Sequence, residues 1–367
     1  MLNIKLKIIP FFPLLIIFSI SLFSLLILYS IGGGNFFPWC FNQSCRFVLG
    51  TIALLFSASI NFSFWKKYAY GFYLFCLLML IAVAVAGKVS MGAQRWLNLY
   101  FFNFQPSELM RIFLVVVLAK YFSNFTVEDS KKLSTLIVPL TLTSIPMGLV
   151  LLQPDLGTAM LLFFVFISIL FVCGVQIWKF VIALISVVIS APILWHLLHE
   201  YQRQRILMFL SPEMDPSGAG YHIIQSQIAI GSGGFWGKGL MNGTQSQLNF
   251  LPEKQTDFVF AALGEELGFL GCSVLLVLYS LLMVYNLGVA MRARNKFNQI
   301  VVFGLNSMLF FYIFINISMV CGLLPVVGVP LPFFSYGGSA LTVLMFCEGL
   351  IFAADLEQKS KSGIGLN

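Results

Sequence analysis

Charge is what this chain has least of. Only 10% of its 367 residues are Asp, Glu, Lys or Arg, while 59% are hydrophobic; a soluble domain carries about 25% charged residues. The length alone would allow two soluble domains, but the apolar runs are too long and too many for that. A Walker motif, a zincin motif and a dinucleotide fingerprint are also missing, which removes the usual sequence grounds for nucleotide or zinc chemistry. The 7 cysteines do not cluster like metal ligands. Five lie in apolar runs and suit packing as small apolar residues. Cys40 and Cys45 share one connection and could pair in an oxidising compartment. No short-period repeat occurs, nor an inverted pair of broken helices of the kind many secondary transporters carry.

What remains is lipid-compatible chain, with a mean hydropathy of +0.94. Only helices and closed barrels satisfy every backbone group in hydrocarbon, and a spanning helix needs about 20 apolar residues. Ten runs qualify: Pro10–Ile31, Phe47–Phe64, Gly71–Gly87, Pro106–Phe122, Leu136–Leu152, Gly157–Cys173, Trp178–Leu198, Phe258–Tyr285, Ile300–Cys321 and Gly338–Ala354. The expected fold is an all-α integral membrane protein, a ten-span helical bundle forming one polytopic domain over 1–367. The first run follows Lys5 and Lys7 like a signal peptide, but it is too long and lacks a cleavage site, so it reads as an anchor.

Basic residues orient the bundle. The side holding both termini collects most of the 21 Lys and Arg residues, among them Lys66, Lys67, Lys120, Lys131, Lys132, Lys179, Arg292, Arg294, Lys296, Lys359 and Lys361. The short connections opposite hold only Arg46, Lys88 and Arg95. The positive-inside rule therefore puts both termini in the cytoplasm and the long loop 199–257, between spans seven and eight, outside. The net charge of +7 reflects this bias and gives no ground for nucleic-acid binding.

The unusual chemistry gathers on the outer side. Asp257 ends the long loop where an apolar run begins; loss of hydration there would raise its pKa toward values useful to a general base. Trp96, Leu97, Leu99 and Tyr100 suit a strip lying in the interface. Pro106 fits a first helical turn, and Glu108 meets the positive end of the helix dipole. Glu108 and Arg111, three apart, form either a salt bridge surviving at the membrane edge or the charged wall of a polar cavity. Asp155 reads as a helix N-cap. The glycines of 231–239 form a turn able to cradle phosphate, or a plain loop. Ala261, Gly264, Gly268 and Gly271 make a stripe, either for close helix packing or as a groove for a lipid chain. Segment 322–339, broken by Pro330 and Pro332, reads as a re-entrant hairpin.

Five blocks are similar, in order, to signatures of the SEDS family (shape, elongation, division, sporulation). They are Arg95-Trp96, Gln105-Pro-Ser-Glu108, Gln153-Pro-Asp155-Leu-Gly-Thr, Leu251-Pro-Glu-Lys-Gln-Thr-Asp257-Phe and Pro332-Phe-Phe-Ser-Tyr-Gly-Gly-Ser339. The wording of 243–253 resembles the rod-shape members more than the division members. The resemblance implies a peptidoglycan glycosyltransferase of the bacterial inner membrane using lipid II, with Asp257 essential and Glu108 and Asp155 lining its cavity. Where relatives commonly carry Lys, this chain has Arg111, a planar fork in place of a point charge.

On that reading, Asp257 takes the proton of a sugar 4-hydroxyl as it attacks an anomeric carbon bearing pyrophosphate, with inversion. The departing polyprenyl pyrophosphate needs cations, drawn from Arg95, Arg111, Arg203, Arg205 and Lys254. A divalent cation such as magnesium could share the role, although no dedicated cage is visible. Expected partners are a class B penicillin-binding transpeptidase and other cell-elongation machinery. A flippase for lipid-linked precursors would use a similar cavity but needs polar access from the cytoplasmic half, and a scaffold would leave the outer ionisable cluster unexplained.

Overall fold

The computed structural model describes residues 10–361 except 91–92, 99–102, 127, 130–131, 198–199, 212–218, 249 and 252. Lys5, Lys7, Leu99, Tyr100 and Lys131, and the side chains of Lys88, Leu97, Arg205 and Lys361, lie outside the described residues. In chain order the helices are α1 (Phe11–Ile31), α2 (Trp39–Ser59), α3 (Phe62–Ala86), α4 (Pro106–Phe122), α5 (Ser134–Leu152), α6 (Leu156–Val172), α7 (Ile177–Leu197), α8 (Glu200–Leu210), α9 (Ala219–Gly233), α10 (Thr244–Gln247), α11 (Val259–Arg292), α12 (Lys296–Val320) and α13 (Ser339–Lys361).

Nine of the ten expected apolar runs each fall on a single helix, and Phe47–Phe64 straddles α2 and α3. Among the described residues six helices, α1, α3, α5, α11, α12 and α13, are long and apolar enough to cross a membrane, and α6 and α7 contribute shorter apolar stretches. Outward faces carry exposed aliphatic and aromatic side chains such as Leu22, Leu78, Val85 and Val284, the surface that lipid rather than water would cover.

Two expectations need correction. The second helix begins at Trp39 and ends at Ser59, ahead of the expected run, because Phe62–Phe64 already belong to α3. Cys40 and Cys45 therefore sit on one helix, and both thiols are free, Cys40 buried and Cys45 exposed. Five residues is not a helical repeat, so the two side chains leave on different faces. The fold is also not purely helical. Strands β1 (Lys88–Ser90), β2 (Ala93–Asn98) and β3 (Asn103–Phe104) form a small antiparallel sheet. Ser90 pairs with Ala93 and Leu97 with Phe104, so Trp96 and Leu97 of the strip expected in the interface belong to a strand of this sheet.

Helix α4 is the axis of the bundle. Nearly all of it is buried, from Pro106 to Ala119, and it packs against α3, α6, α12 and α13. This explains how so short a run carries Glu108 and Arg111, since both face protein and not hydrocarbon. Against α2, α13 approaches so closely that a Cβ at Gly349 would strike the Ser57 hydroxyl and the Leu54 carbonyl. Small-residue contacts of this kind let backbones approach where no hydrophobic drive separates helix from lipid.

The glycine stripe of α11 has the same purpose. Gly268 has φ +63 and kinks the helix. Phe269 N–H and Leu270 N–H then donate to the carbonyls of Gly234 and Phe235, while Lys238 N–H and Gly239 N–H donate to those of Glu265 and Glu266. A Cβ at Gly233 would collide with the Gly264 carbonyl. Gly233 and Gly237 of the run thus mesh with the Gly264–Gly268 part of the stripe in one interlock. At the far end of the bundle, Lys120 donates to the Lys67 carbonyl, Lys296 to the Phe125 carbonyl, and Asp355 pairs with Arg292 and Lys359.

Candidate active site

Glu108 lies in the first turn of α4, behind Pro106, and is 4% exposed. Arg111 Nη2 stands 4.0 Å from Glu108 Oε1. Its Nε donates to the Ser107 carbonyl at 3.3 Å, and its guanidinium lies 4.9 Å from the centre of the Tyr312 ring. Glu108 Oε2 is buried without a hydrogen-bond partner among the described residues. Such an oxygen carries a desolvation cost that a ligand donor would relieve.

Asp155 caps α6, as expected, accepting from Thr158 N at 3.2 Å and from the Thr158 hydroxyl at 2.9 Å. It also accepts from Gln105 Nε2 at 3.0 Å and lies 3.9 Å from Arg95 Nη1. Arg95 donates from Nε to the Gln153 carbonyl at 3.4 Å and from Nη2 to the Pro154 carbonyl. Strand β2 thereby locks the α5–α6 corner, and Asp155 is buried in that lock.

Asp257 sits half-buried in the turn before α11. Its main-chain carbonyl accepts from Asn316 Nδ2 at 3.0 Å, and the same amide donates to the Val329 carbonyl at 2.7 Å. The preceding peptides are held by the segment before α13: Tyr336 N donates to the Gln255 carbonyl at 2.8 Å and the Ser335 hydroxyl to the Thr256 carbonyl at 2.7 Å. That segment is gripped from α2, where Gln43 Nε2 donates to the Ser335 carbonyl at 3.1 Å and Gln43 Oε1 accepts from Gly337 N at 3.3 Å. Gly328 has φ +70, and a Cβ there would lie 3.6 Å from Asp257 Oδ2. Glycine keeps the space beside the carboxylate open.

These groups share one cavity of about 240 Å³, lined among others by Arg95, Glu108, Arg111, Asp155, Asp257, Tyr336 and Gly338. Beside it lies a wholly apolar cavity of about 680 Å³ between α2, α3, α4 and α13, lined by Phe56, Trp65, Phe72, Leu109, Phe113 and others. One helix serves both: Glu108 and Arg111 face the polar space, Leu109 and Phe113 the apolar one.

Other sequence candidates fall elsewhere. Arg203 donates to the carbonyls of Trp195 and His196 at 2.9 and 2.8 Å, and is not among the residues lining the polar cavity. Lys254 Nζ donates to the Ser246 carbonyl at 2.6 Å and lies 5.7 Å from the centre of the Trp39 ring; burial lowers its pKa from the usual lysine value. Among the described residues, no three His, Cys, Asp or Glu side chains converge in a way that could hold a metal ion.

Sequence reasoning passed over Gln43 and Asn316, which are uncharged and act through main-chain groups; Ser335 stood in one of the five signature blocks, but its hold on the Thr256 carbonyl was not legible there. It also passed over Glu265, fully buried, which accepts from Lys238 Nζ at 2.7 Å, Thr244 Oγ1 at 2.9 Å, Gln245 N at 2.9 Å and Ser246 N at 3.2 Å. A Glu pair inside an apolar run was a signal available for it.

A model of the FtsW/RodA/SpoVE family, described as cell cycle proteins, matches residues 1–360. The chain is 44% identical over 351 residues to the peptidoglycan glycosyltransferase MrdB of Escherichia coli K12, covering 95% of this chain and 94% of that protein. It is 37% identical over 323 residues to a probable peptidoglycan glycosyltransferase FtsW of Geobacter metallireducens, covering 87% and 85%. Among solved structures it is similar to a chain from a peptidoglycan synthase complex that coordinates polymerization and crosslinking, with TM-score 0.84, 29% identity and coverage of 96% and 98%. It is also similar to the rod shape determining protein RodA of Thermus thermophilus, with TM-score 0.71, 26% identity and coverage of 94% and 96%. By that match along nearly its whole length, the chain belongs to the FtsW/RodA/SpoVE family of cell cycle proteins.

Proposed function

We propose that this membrane protein is a peptidoglycan glycosyltransferase that polymerises lipid II, with Asp257 as its general base. The observation that carries this is the convergence of Asp257, Glu108, Asp155, Arg95 and Arg111 on one polar cavity, beside an apolar cavity on the same helix. A lipid-linked sugar needs both environments, one for its charged head and one for its hydrocarbon chain.

The Asp257 carboxylate accepts the proton of the acceptor's 4-hydroxyl as that oxygen bonds to the anomeric carbon of the donor. The bond from that carbon to the pyrophosphate oxygen breaks, and its electron pair leaves with polyprenyl pyrophosphate. A single displacement inverts the anomeric centre. Arg95 and Arg111 offset the charge of the leaving group, and Glu108 and Asp155 fix those guanidinium groups.

In the membrane the chain is a single domain of ten spans with both termini in the cytoplasm of a bacterium and the 199–257 loop and cavity outside. The basic contacts at the end of the bundle away from the cavity support that orientation. A class B penicillin-binding transpeptidase is the proposed partner, supported by the similar chain from a synthase complex.

The test is lipid II polymerisation by the purified chain, with and without that transpeptidase, comparing native protein with Asp257→Asn. Polymer from the native protein and none from a folded variant is the expected result. Undiminished polymer from Asp257→Asn would remove the base, and leaflet-to-leaflet transfer of lipid II in liposomes without polymer would favour a flippase.

A further inference from the structure

The two arginines that line the polar cavity are already committed to protein groups. Arg95 is bound to the Gln153 and Pro154 carbonyls and lies beside Asp155. Arg111 is bound to the Ser107 carbonyl and pairs with Glu108. A third cation stands directly behind the lining. Arg46, on α2, stacks 4.1 Å from the centre of the Tyr336 ring. Its Nη1 is buried and has no hydrogen-bond partner among the described residues. Tyr336 and Gly338 both line the cavity, and the volume a Cβ would fill at Gly338 lies 3.5 Å from Arg46 Nε. At position 338 the wall next to the guanidinium therefore has no side chain.

We infer that Arg46 is an anion-binding residue of this site, taking an oxygen of the pyrophosphate that links the donor sugar to its lipid. The inference rests on the proposed transferase reading and deepens it. A guanidinium stacked on an aromatic ring keeps its in-plane donors for a ligand, and a buried donor without an acceptor is costly until one arrives. Gln43 and Asn42, on the same turn of α2, hold Ser335, Gly337 and the Tyr336 hydroxyl. Arg46 is thus fixed relative to the segment that holds the peptides before Asp257.

The test is binding, which needs no turnover. Full-length native protein, Arg46→Gln, Arg46→Lys and Gly338→Ala are placed in phosphatidylcholine nanodiscs and titrated with polyprenyl pyrophosphate and with uncharged polyprenol. Arg46→Gln should weaken pyrophosphate binding by about tenfold or more and leave polyprenol binding unchanged. Arg46→Lys should recover part of the loss. Gly338→Ala, which sets a methyl against the guanidinium without removing its charge, should weaken the same ligand selectively. These last two carry the test if Arg46→Gln does not fold.

Unchanged pyrophosphate affinity in the folded variants overturns the inference, as does an equal loss for polyprenol. A loss seen only in phosphatidylglycerol nanodiscs also overturns it, since the anion would then be a bulk headgroup. Native protein that polymerises lipid II while Arg46→Gln binds pyrophosphate normally defeats this inference alone. Native protein that binds pyrophosphate but makes no polymer defeats the transferase reading and leaves the Arg46 site standing.

Discussion

The side-chain amide of Asn316 donates to the main-chain oxygen of Asp257 at 3.0 Å and, with its second proton, to the Val329 carbonyl at 2.7 Å. One buried residue of α12 thus pins the acid to the wall across from it. Asn316→Ala should lower the polymerisation rate by about one to two orders of magnitude through misplacement of Asp257, with KM for lipid II changed far less. Steady-state kinetics on the purified variant checks this, and an effect confined to KM would contradict it.

The Glu108–Arg111 pair is buried at both ends. Arg111→Met should destabilise the fold by about 3–5 kcal/mol, because it leaves a carboxylate uncompensated. Arg111→Lys keeps the charge and should be milder, losing the Nε contact to Ser107. Thermal unfolding in detergent of the two variants and of Glu108→Gln/Arg111→Met distinguishes these cases. The double variant should be less damaged than Arg111→Met alone.

Glu265 ties Lys238, Thr244, Gln245 and Ser246 to α11. Glu265→Ala removes the acceptor from two main-chain N–H groups and should cost about 2–4 kcal/mol. Lys238→Ala leaves the other three donors in place but takes the cation from a buried carboxylate, and should cost about 1.5–3 kcal/mol. Proteolysis of the 234–247 segment should accelerate in both variants, more in the first.

Glycine substitutions separate interlock from ordinary helix. Gly268→Ala meets both a positive φ and the backbone of Phe235 and Gly237, and should cost more than about 3 kcal/mol. Gly148 lies within α5 with nothing near its absent Cβ. Gly148→Ala should be neutral or stabilising by up to about 1 kcal/mol. Melting temperatures of the pair measure the contrast.

The helices were readable because a run of apolar residues has one physical use in such a chain. The start of α2 was not, since Asn42, Gln43 and Arg46 are polar on account of the segment they grip, and hydropathy averages that away. The hairpin at 88–98 was missed because its strands are too short for an alternating pattern to stand out. Within the site, Asp155 was legible as a cap because its partner, Thr158, is three residues away. The closeness of Arg95, Glu108 and Asp257 depends on contacts across the whole bundle, and no local spacing encodes it. The glycine run and the glycine stripe were each visible, but their meshing needed the kink at Gly268.

Ser335 is grasped from one direction by the head of α2 and from the other by the chain that ends in the acid. It works as a shared hinge pin. A shift of that helix would reach the peptide before Asp257 through this one residue.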